Sequence, residues 1–288
     1  MDNISSAVKY GPGFMGLIIS LWLYGITFGQ YVFYLCTFPL DKKALKFLVL
    51  IVFLLDSGHS YSLSAYYWLQ LISWRASPAS ALFVPWELMM GMVFAYCVAL
   101  IVQSFYAHRV WIISGHNKFL AGAVFVMAIA QFALGMTCVA DTIRERTAVS
   151  LANSVLTVGS ASAISIICDL IITGSIFFYL HPRRAGVKRL GSPIPDLVNV
   201  SVNMGAFTCL VSLVVFLMYF IHQDPYLVGA ATPIMCKSYS NSFLAVLNAR
   251  KLIRDRQEAR VFSTFNLTTI DISHPPSATV ASSHNQQA

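Results

Sequence analysis

Residues 86–108, WELMMGMVFAYCVALIVQSFYAH, form a continuous apolar run in which only Glu87 is charged at neutral pH. A helix of about 20 apolar residues crosses the roughly 30 Å hydrocarbon core of a bilayer. Because the run is continuous rather than alternating, it predicts a helix and not a strand of a barrel. Six further runs of this kind lie at 14–36, 46–68, 118–140, 152–180, 197–221 and 227–250. The sequence therefore predicts an all-α integral membrane protein with a seven-transmembrane-helix bundle.

The composition supports a membrane protein, since 57% of the residues are hydrophobic, 11% are charged and the mean hydropathy is +0.67. Soluble domains carry about twice that share of charged residues. The first run lacks a small-residue cleavage site and is too long for a signal-peptide core, so we expect it to remain as a signal anchor. We expect an N-terminal segment at 1–13, the bundle at 14–251, and a basic flank with a disordered tail at 252–288.

The basic residues predict the orientation of the bundle, because cytoplasmic loops retain Lys and Arg. When each basic residue is assigned to the loop in which it lies between the apolar runs, most of them fall on one side of the predicted membrane. We expect that side to be cytoplasmic, which places the N-terminus outside and the C-terminus inside. The net charge of +7 then belongs mainly to the inner face, where it attracts anionic lipid headgroups; a nucleic acid partner is not needed to explain it. The inner side holds Lys42, Lys43, Lys46, Arg109, Lys118, Arg183, Arg184, Lys188, Arg189, Arg250, Lys251, Arg254, Arg256 and Arg260, and the outer side holds Lys9, Arg75, Arg144 and Arg146.

Five of the inner basic residues follow the last apolar run in the stretch NARKLIRDRQEARVF at 248–262. The pattern predicts a short interfacial helix that sets topology. From about residue 257 the chain becomes rich in Ser, Thr, His, Gln and Pro, which predicts disorder. A regulatory phosphorylated tail is the alternative interpretation. The sequon at Asn3 is a possible glycosylation site, because only that end is predicted to lie outside. The basic flank comprises Arg250, Lys251, Arg254, Arg256 and Arg260.

Motifs of catalysis and cofactor binding are weak in this sequence. The stretch GPGFMG at 11–16 matches a dinucleotide-binding pattern, but no strand precedes it and a membrane helix follows. The histidines are scattered over different depths, and the six cysteines lack the spacing of a metal or redox site. We therefore expect no enzyme activity, no metal and no cofactor.

Ionisable residues inside the predicted membrane form the candidate site. Their positions on the runs place the charged ones about 15 to 20 Å from the inner end, so they share a depth. Because a charge facing lipid costs several kcal/mol, we expect them to face the interior and to pair. Lys237 is predicted to pair with Asp169 or with Asp56, or else to snorkel towards the outer face. The predicted polar cluster comprises Asp56, His59, Asp169, Lys237 and Asn241.

Several stretches carry a resemblance to a known family. They include CDLIITGSIFFYLHPRRAGVKR, VNMGAFT and KSYSNSFLAVLNARKLIR near the C-terminus, and LYGITFGQYVFY, FPLDKKALK, LLDSGHS and QSFYAHRVWIISGHN upstream. The chain resembles fungal multi-pass membrane proteins with domain of unknown function 6534, over roughly residues 12 to 255, with the domain at about 165–254. The stretches RRAG and LGSPIPD and the residue Glu87 depart from the family pattern. The resemblance implies a seven-helix fungal membrane protein and implies no activity.

Three functions are compatible with these features. Seven helices, an outside N-terminus, a basic inner face and a Ser/Thr-rich tail favour a receptor or sensor with an unknown ligand and a cytoplasmic signalling partner. The buried ionisable residues favour the alternative, a small-solute or proton transporter, although no inverted repeat is visible. A lysine in the last helix suggests a retinal protein, but no Asp lies four residues before Lys237. The plasma membrane is the expected location.

Overall fold

The computed structural model describes residues 6–73, 83–147, 155–186, 194–218, 220 and 225–273. Within these ranges the fold is helical, apart from one isolated bridge between Phe83 and Thr147. The second helix continues into a π-helical turn at Leu69–Ser73. The helices are α1 (Ser6–Thr37), α2 (Lys43–Trp68), α3 (Trp86–Ile113), α4 (Lys118–Glu145), α5 (Val155–Gly186), α6 (Ile194–Leu217) and α7 (Pro225–Ser273).

Six helices are long and apolar enough to cross a membrane, which makes the chain an all-α, multi-pass membrane protein. Among the described residues α7 lacks that apolar composition, because its centre at 237–242 has the sequence KSYSNS. The six segments are Gly11–Thr37, Lys43–Ser73, Trp86–Ile113, Lys118–Glu145, Leu156–Tyr179 and Val200–Leu217.

The outward surface of the bundle is apolar, as a lipid environment requires. Large side chains such as Trp22, Val126 and Phe178 are more than half exposed. The interior combines an apolar core, which includes Val102 and Phe243, with many buried polar groups. This distribution places the polar chemistry of the protein inside the bundle.

Consecutive helices pack side by side, and α7 packs against both α6 and α1, so the bundle closes on itself. Helix α3 also contacts α5 and α7, and α2 contacts α7. As a result, residues 236–244 of α7 are buried on every side of the helix. The polarity of α7 is therefore shielded from lipid by its neighbours.

The two ends of α4 are fixed by a side-chain cap and by a left-handed backbone conformation. Asn117 caps α4, because its side-chain oxygen accepts hydrogen bonds from the backbone N–H groups of Phe119 and Leu120 at 3.1 and 3.2 Å. At the other end of α4, Arg146 adopts a left-handed conformation with φ of 50°. The backbone of Arg146 then accepts a hydrogen bond from Val84 N at 3.1 Å. We call this side of the bundle the Val84 end and the opposite side the Arg250 end.

The ends of the chain differ from the sequence-based prediction. Helix α1 begins at Ser6, within the segment predicted to precede the bundle, and α7 continues to Ser273 although disorder was expected from about residue 257. Residues 255–260 are mostly good helix formers such as Arg, Gln, Glu and Ala, which favours the continuation as far as Arg260. Asn3 lies outside the described residues.

Candidate functional site

Two polar clusters lie on opposite sides of α7. Lys237 and Tyr239 are two residues apart, so their side chains leave the helix about 200° apart. Lys237 faces α1 and α2, whereas Tyr239 faces α3, α5 and α6. One short stretch of α7 therefore supplies both sites.

The first cluster, which we call the pair cluster, is a buried ion pair with its hydrogen-bond partners. Lys237 Nζ lies 2.9 Å from Asp56 Oδ1, and both side chains are fully buried. The ammonium also donates to the backbone oxygen of Asp56 at 2.8 Å and to Ser60 Oγ at 2.7 Å, which uses all three of its N–H groups. Ser240 Oγ donates to Asp56 Oδ1 at 3.0 Å. The charges of Lys237 and Asp56 are compensated within the protein.

Helix α1 contributes to the same side of α7. The Tyr24 ring has its centroid 5.1 Å from Lys237 Nζ, within range of a cation–π contact. Asn241 Nδ2 donates to the Leu23 backbone oxygen at 3.0 Å and to the Lys237 backbone oxygen at 2.9 Å. Two turns later, Asn248 Nδ2 donates to an α1 carbonyl in the same way, at 2.9 Å from Gln30 O. The two asparagines tie α7 to α1.

The structure thus assigns Lys237 to Asp56 among the alternatives left open by the sequence. Asp169 lies on the other side of α7, and full burial of Lys237 excludes snorkelling. His59 is buried near the pair but does not join it, and its Nδ1 has no partner among the described residues. Shared depth predicted the burial of these residues, but it did not predict which face each one occupies.

The second cluster, which we call the acid cluster, surrounds Asp169. Tyr239 donates its hydroxyl to Asp169 Oδ2 at 2.8 Å, and Ser212 Oγ lies 3.5 Å from the same oxygen. The Tyr239 oxygen is also 2.7 Å from Ser165 Oγ and 3.3 Å from Gln103 Nε2. All five side chains are buried. Four helices therefore meet at one carboxyl group.

A fifth helix joins through Gln131, whose Oε1 accepts a hydrogen bond from Gln103 Nε2 at 3.1 Å. Sequence reasoning found Asp169 but missed Tyr239, Gln103 and Gln131. The available signal was an amide inside each of two apolar runs, Gln103 five residues before the end of 86–108 and Gln131 near the middle of 118–140. A polar side chain at that depth indicates an interior partner.

A small cavity of about 70 Å³ lies beside the acid cluster, between α3, α5, α6 and α7. Its lining is mainly apolar and includes Val215, and its polar groups are Tyr96, Ser162, Thr232, Cys236 and Tyr239. The lining residues come from the first halves of α3, α5 and α7 and from the end of α6, so the cavity lies towards the Val84 end. The Tyr239 side chain is shared between the cavity and the acid cluster.

At the Arg250 end, a partly exposed ion pair connects α7 to the α1–α2 connection. Arg250 lies 2.7 Å from Asp41 and stacks 4.3 Å from the Phe38 ring centroid, and Tyr34 donates its hydroxyl to Asp41 at 2.9 Å. Burial acts to raise the pKa of Asp41, but hydrogen bonds from Arg250 and Tyr34 outweigh it and hold the pKa below its ordinary value. Asp41 is therefore ionised at neutral pH.

The rest of the predicted basic flank is more loosely held. Lys251 pairs with Asp255 at 2.7 Å along the helix, and both side chains are more than a third exposed. Arg254 and Arg256 are exposed. Arg260 lies on the same helix, but its side chain is outside the described residues. Arg250 is thus distinct from Lys251 and Arg254, because it contacts the α1–α2 connection through Asp41.

Comparison with known proteins gives a match to a family model over part of the second half of the chain. Neither a curated protein nor a solved structure matches the chain. A family model of unknown function, DUF6534, matches residues 165–252. The matched region begins at Ser165 of the acid cluster and runs through Lys237, Tyr239 and Arg250, whereas Asp56 lies outside it. The chain is therefore a DUF6534 domain-containing protein.

Proposed function

We propose that this protein is a seven-helix receptor or sensor of small molecules, in the plasma membrane, with its N-terminus outside and its C-terminus in the cytosol. The observation that carries the proposal is the cavity between α3, α5, α6 and α7, which joins the buried acid cluster through Tyr239. The proposal therefore gives the protein a ligand-binding activity and no catalytic one.

The seventh span and the orientation rest on packing and charge. Helix α7 is enclosed by α1, α2, α3 and α6, so it crosses the membrane together with them despite its polar centre. The Arg250 end carries Arg109 and most of the basic flank, which favours the cytoplasmic side and contact with anionic lipids. The cavity then lies in the outer half of the bundle.

The dimensions of the cavity limit the ligand. A cavity of about 150 Å³ accommodates benzene in a well-studied lysozyme variant, so one of about 70 Å³ accommodates only a few heavy atoms. With a ceiling of about 1.5 kcal/mol per heavy atom, a five-atom ligand binds no more tightly than about 3 μM. The lining predicts a mainly apolar molecule with one group that hydrogen-bonds to the Ser162 hydroxyl, because the Tyr239 hydroxyl is already occupied by Asp169, Ser165 and Gln103.

Helix α7 provides a path from the cavity to the cytoplasmic end. Arg250 lies about 16 Å along the helix axis from Tyr239, and it holds the α1–α2 connection through Asp41. A ligand that shifts or rotates α7 changes this contact, which would expose or hide a surface for a cytoplasmic partner. The ligand must favour one of the two arrangements for this to occur.

Binding to the cavity is tested with 1-butanol and 2-butanone as probes, by ligand-observed NMR on protein in nanodiscs. Ala99 lines the cavity, so Ala99→Leu fills it and should abolish the protein-specific signal. Ala107→Leu is the matched control on the same helix, because Ala107 is buried but does not line the cavity. Equal binding to the parent and to Ala99→Leu would refute the cavity as the ligand site.

Transport is the second candidate, and it is favoured by the buried acid cluster that spans five helices. Proteoliposomes loaded with a pH-sensitive dye distinguish the two functions. A receptor leaves the proton permeability unchanged with or without 1-butanol. Proton flux that disappears in Asp169→Asn would instead assign the protein to the transporters.

A further inference from the structure

Asp169 is a buried carboxyl group with no basic partner among the described residues. It is 3% exposed, and none of the ion pairs in the described part of the chain includes it. An isolated carboxylate in this environment is strongly unfavourable, because burial removes its hydration. Some positive charge must therefore accompany Asp169, or a proton must neutralise it.

The ionisable groups around Asp169 do not provide that charge. Those that interact with it electrostatically are Tyr106 on α3, Cys168 on its own helix, Cys209 on α6 and Tyr239 on α7, and none of these is ever positive. Helix α4 faces the cluster with the uncharged Gln131.

The basic residue on a neighbouring helix, Arg109, interacts with Tyr106 rather than pairing with the carboxyl group. It lies about 9 Å along the α3 axis from Gln103. The described part of the chain supplies hydroxyl and amide groups to Asp169 but no cation.

The groups around Asp169 have the chemistry of a site for a hard cation. The hydroxyl oxygens of Tyr239 and Ser212 lie 2.8 and 3.5 Å from Asp169 Oδ2, and Ser165 Oγ lies behind them, 2.7 Å from the Tyr239 oxygen. The amide of Gln103 lies in the same cluster, and its Oε1 is buried without a hydrogen-bond partner among the described residues. Carboxylate, hydroxyl and carbonyl oxygens are the ligands preferred by small hard cations, whereas nitrogen and sulfur favour transition metals.

We propose that the acid cluster is a binding site for a small monovalent cation, either a proton or Na⁺, held at Asp169 in the middle of the bundle. The site is independent of the receptor assignment, because it depends on the carboxyl group and not on the cavity. Tyr239 connects the two, since its hydroxyl bonds Asp169 while its ring lines the cavity. Occupancy of the cation site and of the cavity should therefore affect each other.

Two measurements on the full-length protein in detergent distinguish the possible occupants. Infrared difference spectra between the parent and Asp169→Asn show whether a protonated carboxylic acid band is lost at neutral pH. Thermal unfolding in NaCl, against choline chloride at equal ionic strength, shows whether Na⁺ binds the folded state. Asp41→Asn is the matched control, because it makes the same chemical change outside the bundle interior.

A carboxylic acid band specific to Asp169 identifies a proton as the occupant. An ionised Asp169 with a melting temperature that rises with Na⁺ in the parent, but not in Asp169→Asn, identifies Na⁺. An ionised Asp169 without a Na⁺-dependent shift overturns the proposal.

Variants of the surrounding hydroxyls retain a test if Asp169→Asn does not fold. Ser212→Ala and Tyr239→Phe keep the carboxyl group but remove hydroxyls that bond it. Either the frequency of the acid band or the Na⁺ concentration at half-maximal stabilisation should change in both variants. Unchanged values in both would overturn the role of the acid cluster.

Discussion

The two sides of α7 each face a buried aspartate, but the surroundings of the two carboxyl groups differ. On one side, Asp56 is matched by Lys237 and by hydrogen bonds from neighbouring hydroxyls. On the other side, Asp169 is surrounded by neutral donors and lies next to a cavity. Both aspartates are buried, with 0% and 3% of their surface exposed. The pair cluster therefore fixes α7 against α1 and α2, whereas no described residue offers Asp169 a positive charge.

The pair cluster should provide the largest mutational effect. Lys237→Met leaves Asp56 buried without its cation, and breaking a buried pair in this way costs about 3–5 kcal/mol of unfolding free energy. The measurement is the folded fraction in detergent during thermal or denaturant-induced unfolding. Lys251→Met is the control, because its exposed ion pair should cost less than about 1 kcal/mol.

A double-mutant cycle tests whether the two clusters are separate. Asp56→Asn should restore most of the stability lost in Lys237→Met, because removing both charges leaves no uncompensated ion. Asp169→Asn should restore none of it, since Asp169 lies on the other side of α7. Rescue by Asp169→Asn would show that the two sites share one charge balance, and the comparison would fail.

A variant of Tyr239, on the other side of α7, should cause an intermediate loss of unfolding free energy. Tyr239→Phe removes a hydroxyl that bonds both Asp169 and Ser165, which should cost about 1–3 kcal/mol because buried groups lose a partner. Unfolding in detergent measures the loss, with Tyr61→Phe as the control on an exposed tyrosine. A cycle with Lys237→Met should be additive, and strong coupling would contradict the separation of the clusters.

The sequence predicted the membrane class, because apolar runs of sufficient length leave few alternatives, and six spans were confirmed. It also predicted the burial of Asp56, Asp169 and Lys237. It did not select the partner of Lys237, because the position of a residue along a helix does not show which neighbouring helix its side chain faces. Gln103 and Tyr239 were missed: the amide within an apolar run indicated an interior partner, but its partner, the Tyr239 phenol, becomes apparent only when the neighbouring helices are placed. The DUF6534 match confirmed the resemblance over residues 165–252, and the resemblance upstream of them stays a prediction.

The ion pair between Arg250 and Asp41 is a reference for the buried pair between Lys237 and Asp56. Each pair joins a cation to an aspartate, but the Arg250 pair is partly exposed to solvent. It should contribute at most about 1 kcal/mol, since the two side chains are 35% and 20% exposed. The pKa of Asp41 is lowered in the folded state, so the contribution is present above the pKa of the unfolded chain and is lost as the pH falls through the folded pKa.

We therefore expect Asp41→Asn to destabilise the protein at neutral pH and to match the parent only in acid, once the pH has fallen below the lowered folded-state pKa of Asp41. Unfolding midpoints across pH check this expectation, and added salt should weaken the effect at neutral pH. A loss at neutral pH as large as that of Lys237→Met would mean that exposure does not separate the two pairs.

The smallest expected effect is the one that most sharpens the contrast between the two aspartates. Asp169→Asn keeps the shape of the side chain and an oxygen that accepts from Tyr239, and it removes a charge that has no basic partner among the described residues. In choline chloride, where no bound Na⁺ adds stability to the parent, we expect a change in unfolding free energy near zero, within about 1 kcal/mol. Asp56→Asn makes the same chemical change but leaves Lys237 uncompensated, so it should cost about 3–5 kcal/mol. If both variants lose the same stability in detergent, Asp169 has a compensating charge within the protein after all, and the acid cluster is a structural element like the pair cluster.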